Sequence, residues 1–323
     1  MPLKTPIAFC IFNRPSLTGK VFNSIRKAKP NRLLVIGDGP RAGNDEDPER
    51  VAQSRAVIEQ VDWDCTVTTN FSEVNLGCKQ RMASGLTWAF EQAEELIILE
   101  DDCLPEPTFF SFCEQLLERF RDDERVMMIS GNNFQPDGPD GPGGSQSTDE
   151  SYYFSRWPHI WGWASWRRAW NHFDVEIKSW PLSKQNHDLE NAFGSAQEYE
   201  HWSALFDQVH AGKIDTWDFS WAYAVWKNNG LSILPTTNLI SNLGFGETAT
   251  HTVDMNSKLA NLKTGRIETL THPTRIKPNV AADQYTWENI IAPPLLPTRA
   301  SKRPKWYRRI FGNQTPVDIA ARF

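Results

Sequence analysis

Leu96-Ile97-Ile98-Leu99-Glu100-Asp101-Asp102 is the stretch that decides the fold of this chain. Four consecutive apolar residues read as a strand buried on both faces, the pattern of a parallel sheet covered by helices on each side. The three carboxylates cannot follow the strand into the core, because burying unpaired charge is prohibitive, so they are expected at its carboxyl edge. That edge is where open α/β sheets bind ligands. Crowded carboxylates raise one another's pKa unless something neutralises them, and a divalent cation carrying a diphosphate would do so. The alternative is an acidic loop ahead of the helix opened by Pro105-Glu106-Pro107.

The residues around this stretch alternate strand and helix. Ile7 to Phe12 reads as a strand ended by Asn13-Arg14-Pro15, with Ser16 as the cap of a helix to about Ala28. Leu33-Leu34-Val35-Ile36 is a second buried strand, closed by Gly37-Asp38-Gly39-Pro40. A helix near Glu49 to Gln60 and a short strand at Cys65 to Thr68 follow. A helix from about Lys79 to Ala93 leads into the Leu96 strand. A further helix, Phe109 to Arg121, precedes the strand Val126 to Ser130. This order predicts right-handed βαβ units and a mostly parallel sheet flanked by helices.

The segments expected are an α/β half over residues 1–135, a mobile Gly/Pro/Ser-rich loop over 136–150, and a Trp-rich half of the same domain over 151–255. Residues 256–323 read as an extended tail. Ten of the fourteen tryptophans lie between Trp157 and Trp226. Because each indole N–H needs a partner when buried, most are expected to be structural, with two or three lining a site suited to sugar faces.

With 323 residues and a net charge of -6, the chain has the size of one large α/β domain and lacks the basic surface of a nucleic-acid protein. No run of 18 or more apolar residues suggests a membrane span. The five cysteines lack the paired spacing of a zinc site, and a reducing cytoplasm is the expected setting. In the tail, Lys302, Arg303, Lys305, Arg308 and Arg309 interleave with Trp306, Tyr307, Ile310 and Phe311. Such a pattern permits peripheral contact with an anionic membrane surface, or a solvated tail.

Individual polar residues stand where a parallel sheet gathers its strand ends. Asp38 could accept hydrogen bonds from a base or a ribose, or close an Asx turn on its own backbone. Lys79 and Arg81 open a helix after Asn75-Leu76-Gly77 and could meet phosphate charge, or face solvent. Thr216 is read as the cap of a helix from about Trp217 to Asn228, with Asp218 in its first turn among indoles. There Asp218 could act as a general base or simply favour the helix dipole.

The segment from Lys79 to Asn133 resembles the metal-dependent glycosyltransferases of the GT-A fold. It is most similar to the N-acetylglucosaminyltransferase I group and more loosely to family-two glycosyltransferases. The residues that carry the resemblance are Arg81-x-Ala83-x-Gly85, the apolar strand with Glu100-Asp101-Asp102, Pro107-x-Phe109-Phe110, and Val126-x-x-Ile129-Ser130 with Asn132. Farther on, Trp161-Gly162-Trp163, Trp217-Asp218 and Gly244-Phe245-Gly246 resemble acceptor-side segments. The resemblance implies a nucleotide-diphosphate sugar donor, UDP-linked, a glycan or lipid-linked acceptor, and a Mn2+ or Mg2+ ion. It implies that Asp102 binds the ion, Glu100 faces the ribose and Asp101 the transferred sugar. Arg14, Asp38 and Lys79 would surround the nucleotide, Trp163 would lie on the acceptor side, and Asp218 would be the base of an inverting transfer. His251 would be a further metal or diphosphate ligand, or a structural histidine. Lys79 stands where the family pattern has a histidine.

Three rival readings differ from this one in what they require of the sequence. A nucleotidyltransferase needs a glycine-rich phosphate loop after the first strand, where this chain has Phe12-Asn13-Arg14-Pro15-Ser16. A non-catalytic sugar-binding module would need no acidic triplet. A dehydrogenase would show Gly-x-Gly-x-x-Gly after the first strand, and none is present.

Overall fold

The computed structural model describes residues 2–136, 150–245, 259–260 and 262–292. The first half builds as the apolar runs dictate. β1 (Ile7–Ile11), β2 (Arg32–Gly37), β3 (Thr66–Phe71) and β4 (Glu95–Glu100) alternate with α1 (Pro15–Ala28), α2 (Asp47–Ala56) and α3 (Gly77–Gln92). These strands pair in parallel in the order β3-β2-β1-β4. α1 starts one residue earlier than its expected cap. Pro15 occupies its first turn, Arg14 is the N-cap residue, and no side chain caps the helix. A proline there loses nothing, since its missing N–H would have had no helical partner.

The chain continues through β5 (Cys103–Pro105), α4 (Thr108–Arg119), β6 (Val126–Ser130), β7 (Tyr152–Ser155) and β8 (Trp163–Trp166). The short helices α5 (Arg167–Trp170) and α6 (Trp180–Asn186) follow, then the longer α7 (Ala196–His210) and α8 (Asp218–Lys227). β9 (Leu231–Pro235), β10 (Ile240–Asn242) and α9 (Val280–Thr286) complete the described elements. The central sheet has eight strands in the order β3-β2-β1-β4-β8-β6-β9-β7. β8 runs antiparallel between β4 and β6, pairing Ile97 with Ala164 on one side and Ser130 with Trp163 on the other. The protein is therefore an α/β structure with a large, mainly parallel central sheet flanked by helices. β5 and β10 form a separate antiparallel pair in which Asn242 faces Cys103.

Tryptophan fills the second half of the core. Trp163 stacks on Trp217 at 5.9 Å, and Trp170 lies 5.3 Å from Trp221. Trp157, Trp163, Trp180, Trp202, Trp221 and Trp226 are all fully buried. Several indole N–H groups find acceptors, as in Trp226 to the Arg156 carbonyl at 2.6 Å and Trp180 to Asp207 at 3.0 Å. Pairing apolar bulk with a donor in this way is what buried tryptophan demands.

The expectation of an extended tail from residue 256 is corrected over 280–291. That segment forms α9 and a following helical turn, and it packs on the core. Trp287 is buried and stacks on Trp157 at 6.5 Å, while Asn279 caps α9 by accepting from Ala282 N–H at 3.1 Å. The basic and aromatic residues between Lys302 and Phe311, and the loop proposed over most of 136–150, lie outside the described residues. Among the described residues, no helix is long and apolar enough to cross a membrane.

Asp283 anchors this C-terminal piece. Its carboxylate accepts from Ser155 Oγ at 2.5 Å and faces Arg156, which also pairs with buried Glu198 at 3.0 Å. Burial raises the Asp283 pKa to about 6, outweighing the opposing pull of Ser155 and Arg156. An acid whose folded-state pKa lies above its unfolded value binds more protons when folded, so stability falls as pH rises between the two values. From about pH 4 to 6, the melting temperature of the parent should therefore decline relative to that of Asp283→Asn. Parallel melting curves across that window would remove this role for Asp283.

Candidate active site

The strand order brings the end of β1 beside the end of β4, with Cys10 in register with Glu100. The carboxyl ends of β1, β2 and β4, the start of α3 and the start of α8 enclose a cleft of about 350 Å³, within the ~300–1,000 Å³ usual for small-molecule sites. Six carboxylates line it (Asp38, Glu100, Asp101, Asp102, Asp215 and Asp218), against three arginines, Arg14, Arg41 and Arg81. Trp161 and Trp217 are the tryptophans in its wall.

The acidic triplet turns out of β4. Asp101 is buried, and its Oδ2 accepts from Phe12 N–H at 3.2 Å. Arg14 forks across the pair, one guanidinium nitrogen on Asp101 Oδ1 and Nη1 on Asp102 Oδ2 at 2.8 Å. Burial alone would lower the Arg14 pKa, but Asp101 and Asp102 together raise it, and the side chain stays charged. Glu100 accepts no hydrogen bond from the described residues. Burial first, then the charge of Asp102, push its pKa up to about 8 despite Arg14.

Asp38 is spent on protein donors. Its Oδ1 accepts from Gly39 N–H and Leu76 N–H, both at 2.9 Å. Its Oδ2 accepts from Gly77 N–H at 3.0 Å and from Asn75 Nδ2 at 3.1 Å. Four donors on one carboxylate make Asp38 the clamp that fixes the loop ahead of α3. Gly77 holds φ +76°, a left-handed conformation that favours glycine. Asp38 also lines the cleft, where a nucleotide contact was expected, with its carboxylate already held by these four donors.

The structure places Lys79 away from the cleft. In α3 the positions that face the cleft are Cys78, Arg81 and Met82, spaced three and four apart. Lys79 lies roughly 100° away on the helix, buried against Glu176 at 3.3 Å, and does not line the cleft. Arg81 does line it, while its terminal nitrogen donates to the Asn70 carbonyl at 2.5 Å and to Asn70 Oδ1 at 2.6 Å. Trp163, expected on the acceptor side, is fully buried. As the middle strand between β4 and β6, β8 buries it completely among other indoles, and its neighbour Trp161 takes the place at the wall.

Asp218 is the first residue of α8 and lines the cleft. Its Oδ1 accepts from the Thr216 hydroxyl and from Phe219 N–H at 2.9 Å. Thr216 therefore orients a carboxylate instead of capping the helix as expected. Asp218 is close enough to Glu100 to raise its pKa. Asp215 is exposed and also borders the cleft. A Cβ on Gly77 would stand 3.9 Å from its Oδ2. His251, like Glu247, lies outside the described residues.

Sequence reasoning missed two lining residues. Arg41 packs over the Phe12 ring at 5.5 Å and is held by buried Asp47 through Nε at 2.6 Å. Asn242, on β10, accepts from Gly244 N–H at 2.7 Å, and Gly244 lies so close to Asp102 that any Cβ there would collide with the carboxylate. Their places in the wall depend on distant partners, Phe12 for Arg41 and the β5 pairing with Cys103 for Asn242, which no local signal announces.

Whether this donor set suits a hard divalent cation can be judged from its chemistry. Among the described residues, no three His, Cys, Asp or Glu side chains converge as a metal cage made by protein alone. Mg2+ and ions like it are commonly held by one or two carboxylates plus substrate phosphates. Partly exposed Asp102, next to buried Glu100, fits that arrangement once Arg14 releases it.

No family model matches the chain, and no curated protein matches its sequence. Among solved structures, it is similar to a mannosyltransferase from Pyrobaculum calidifontis in complex with GDP-mannose and Mn2+, at 16% identity and a TM-score of 0.36. That alignment spans 54% of this chain and about half, 48%, of the mannosyltransferase. It is also similar to a UDP-glucose pyrophosphorylase complexed with UDP-glucose, at 8% identity and a TM-score of 0.35, over 72% of this chain and 90% of that one. An inositol-1-phosphate CTP transferase from T. maritima aligns at 10% identity and a TM-score of 0.35, over 72% of this chain and 85% of that one.

Proposed function

We propose that this protein is a GT-A-type glycosyltransferase that moves a sugar from a nucleotide-diphosphate sugar to a hydroxyl acceptor with inversion. The observation that carries the reading is the meeting of two carboxylate groups in one cleft. The Glu100-Asp101-Asp102 turn supplies one, and Asp218, beside Trp217, supplies the other. Asp102 would hold a divalent cation, which would offset the charge of the departing diphosphate. Arg14 and Arg41 supply positive charge on the nucleotide side, and Phe12 supplies a ring for the base. Trp161 and Trp217 offer indole edges to the acceptor. Asp218, held by Thr216 and Phe219, takes the proton of the acceptor hydroxyl as that oxygen attacks the anomeric carbon. The lack of glycine in Phe12-Asn13-Arg14-Pro15 speaks for transfer of sugar over transfer of a nucleotidyl group.

A thermal-shift series with nucleoside diphosphates and their sugars, with and without Mn2+, tests the reading. The expected result is stabilisation by one nucleotide sugar that depends on Mn2+, with release of nucleoside diphosphate on adding acceptor. Release of pyrophosphate from a nucleoside triphosphate and a sugar phosphate would assign the cleft to nucleotidyl transfer instead.

A further inference from the structure

We propose that Arg14 is a latch on the cation site, so that a divalent cation and a nucleoside diphosphate must enter together. This deepens the donor-site reading above and rests on it. The two arms of the Arg14 fork are unequal. Asp101 is 2% exposed at its side chain and has a second donor in Phe12 N–H, so it is a fixed anchor. Asp102 is 15% exposed, and among the described residues the hydrogen-bond donor its side chain meets beyond Arg14 is the weak Cys103 thiol at 3.5 Å. Its backbone carbonyl is pinned by Leu243 N–H at 2.8 Å, which leaves side-chain rotation as its freedom. Arg14 is itself partly exposed, at 18%, on the cleft surface.

The carboxylate that a cation would need, Asp102, already holds Nη1 on its Oδ2. Two positive groups cannot share it without strong repulsion. A cation therefore displaces Nη1 from Asp102, while the other arm keeps Asp101. The freed Nη1 then turns its positive charge into the cleft, where Glu100 is the remaining carboxylate of the triplet and an entering nucleotide brings phosphate oxygens. A diphosphate oxygen would satisfy it, and guanidinium groups bind such oxygens well. A cation alone meets the Arg14 charge, and a nucleotide alone finds Arg14 occupied. Together they exchange partners, and each strengthens the other by the same factor.

The test uses the full chain, with free Mn2+ measured by electron paramagnetic resonance and UDP and GDP as nucleotide probes. In the parent, Mn2+ alone should bind weakly, and one of the nucleotides should tighten it about tenfold or more. Arg14→Lys keeps a charge for buried Asp101 but cannot span both carboxylates. It should bind Mn2+ alone about tenfold more tightly than the parent and lose most of the nucleotide enhancement. Arg14→Gln provides a second variant, and circular dichroism checks that each is folded. Should both unfold, the parent titration decides, since nucleotide-independent Mn2+ affinity overturns the latch. Equal Mn2+ affinity in parent and folded variants overturns it as well, as does a failure of Mn2+ to bind any of them. Failure of the donor reading looks different: neither nucleotide binds with or without Mn2+, while the Arg14 variants still differ from the parent toward Mn2+ alone.

Discussion

Asp218→Asn should lower sugar transfer by about 10²- to 10⁴-fold, the usual contribution of a general base, while donor and cation binding persist. The amide keeps the shape of the carboxylate and can still accept from the Thr216 hydroxyl and Phe219 N–H, so the start of α8 is preserved. It cannot take a proton at neutral pH. Donor binding is expected to survive because Arg14, Arg41 and the triplet belong to other elements of the cleft wall. Asp215→Asn is the informative comparison, because Asp215 borders the same cleft but is exposed. Steady-state rates with donor saturating separate the two. Loss in the Asp215 variant with normal turnover in the Asp218 variant would move the role to Asp215.

The second large effect belongs to Asp102→Ala. It should abolish both turnover and the part of ligand stabilisation that depends on Mn2+. A ligand present at about 100 times its dissociation constant stabilises a protein by about 2.7 kcal/mol, so the lost shift is well within reach of thermal melting. The folded state itself should tolerate the change. Arg14 retains Asp101, the side chain is part-exposed, and the Asp102 carbonyl that receives Leu243 N–H is backbone. Equal Mn2+-dependent shifts in variant and parent would show that the cation binds elsewhere.

The sequence disclosed the donor-side architecture well, because β1, β2 and β4 are runs of apolar residues whose burial needs no partner to be named. The acidic triplet stood at the strand end for the same reason. What it hid were side-chain directions and long-range neighbours. Lys79 and Arg81 looked equivalent as charges opening a helix, yet a two-residue step turns one toward Glu176 and the other toward the cleft. Trp163 looked like a platform for sugar because nothing local says that β8 lies between β4 and β6. Arg14 was expected to meet a nucleotide. Its hold on Asp101 and Asp102 follows from β1 lying next to β4, a choice made by the whole sheet. The buried turns of 280–291 were missed because seven residues of helix carry little periodic signal, and their stability comes from Trp157 and Asp283 contacts far away.

The place of β8 has a consequence for how the chain is made. Leu96 in β4 pairs with Ser165, and the same short strand pairs Met128 with Ser165 on its other side. During synthesis, the apolar edge Leu96 to Leu99 therefore waits, unpaired, until some seventy further residues have been added. Exposed strand edges recruit other chains, and pairings of long sequence separation form slowly. Slower synthesis before Trp166 would lengthen the interval in which that edge is open to other chains.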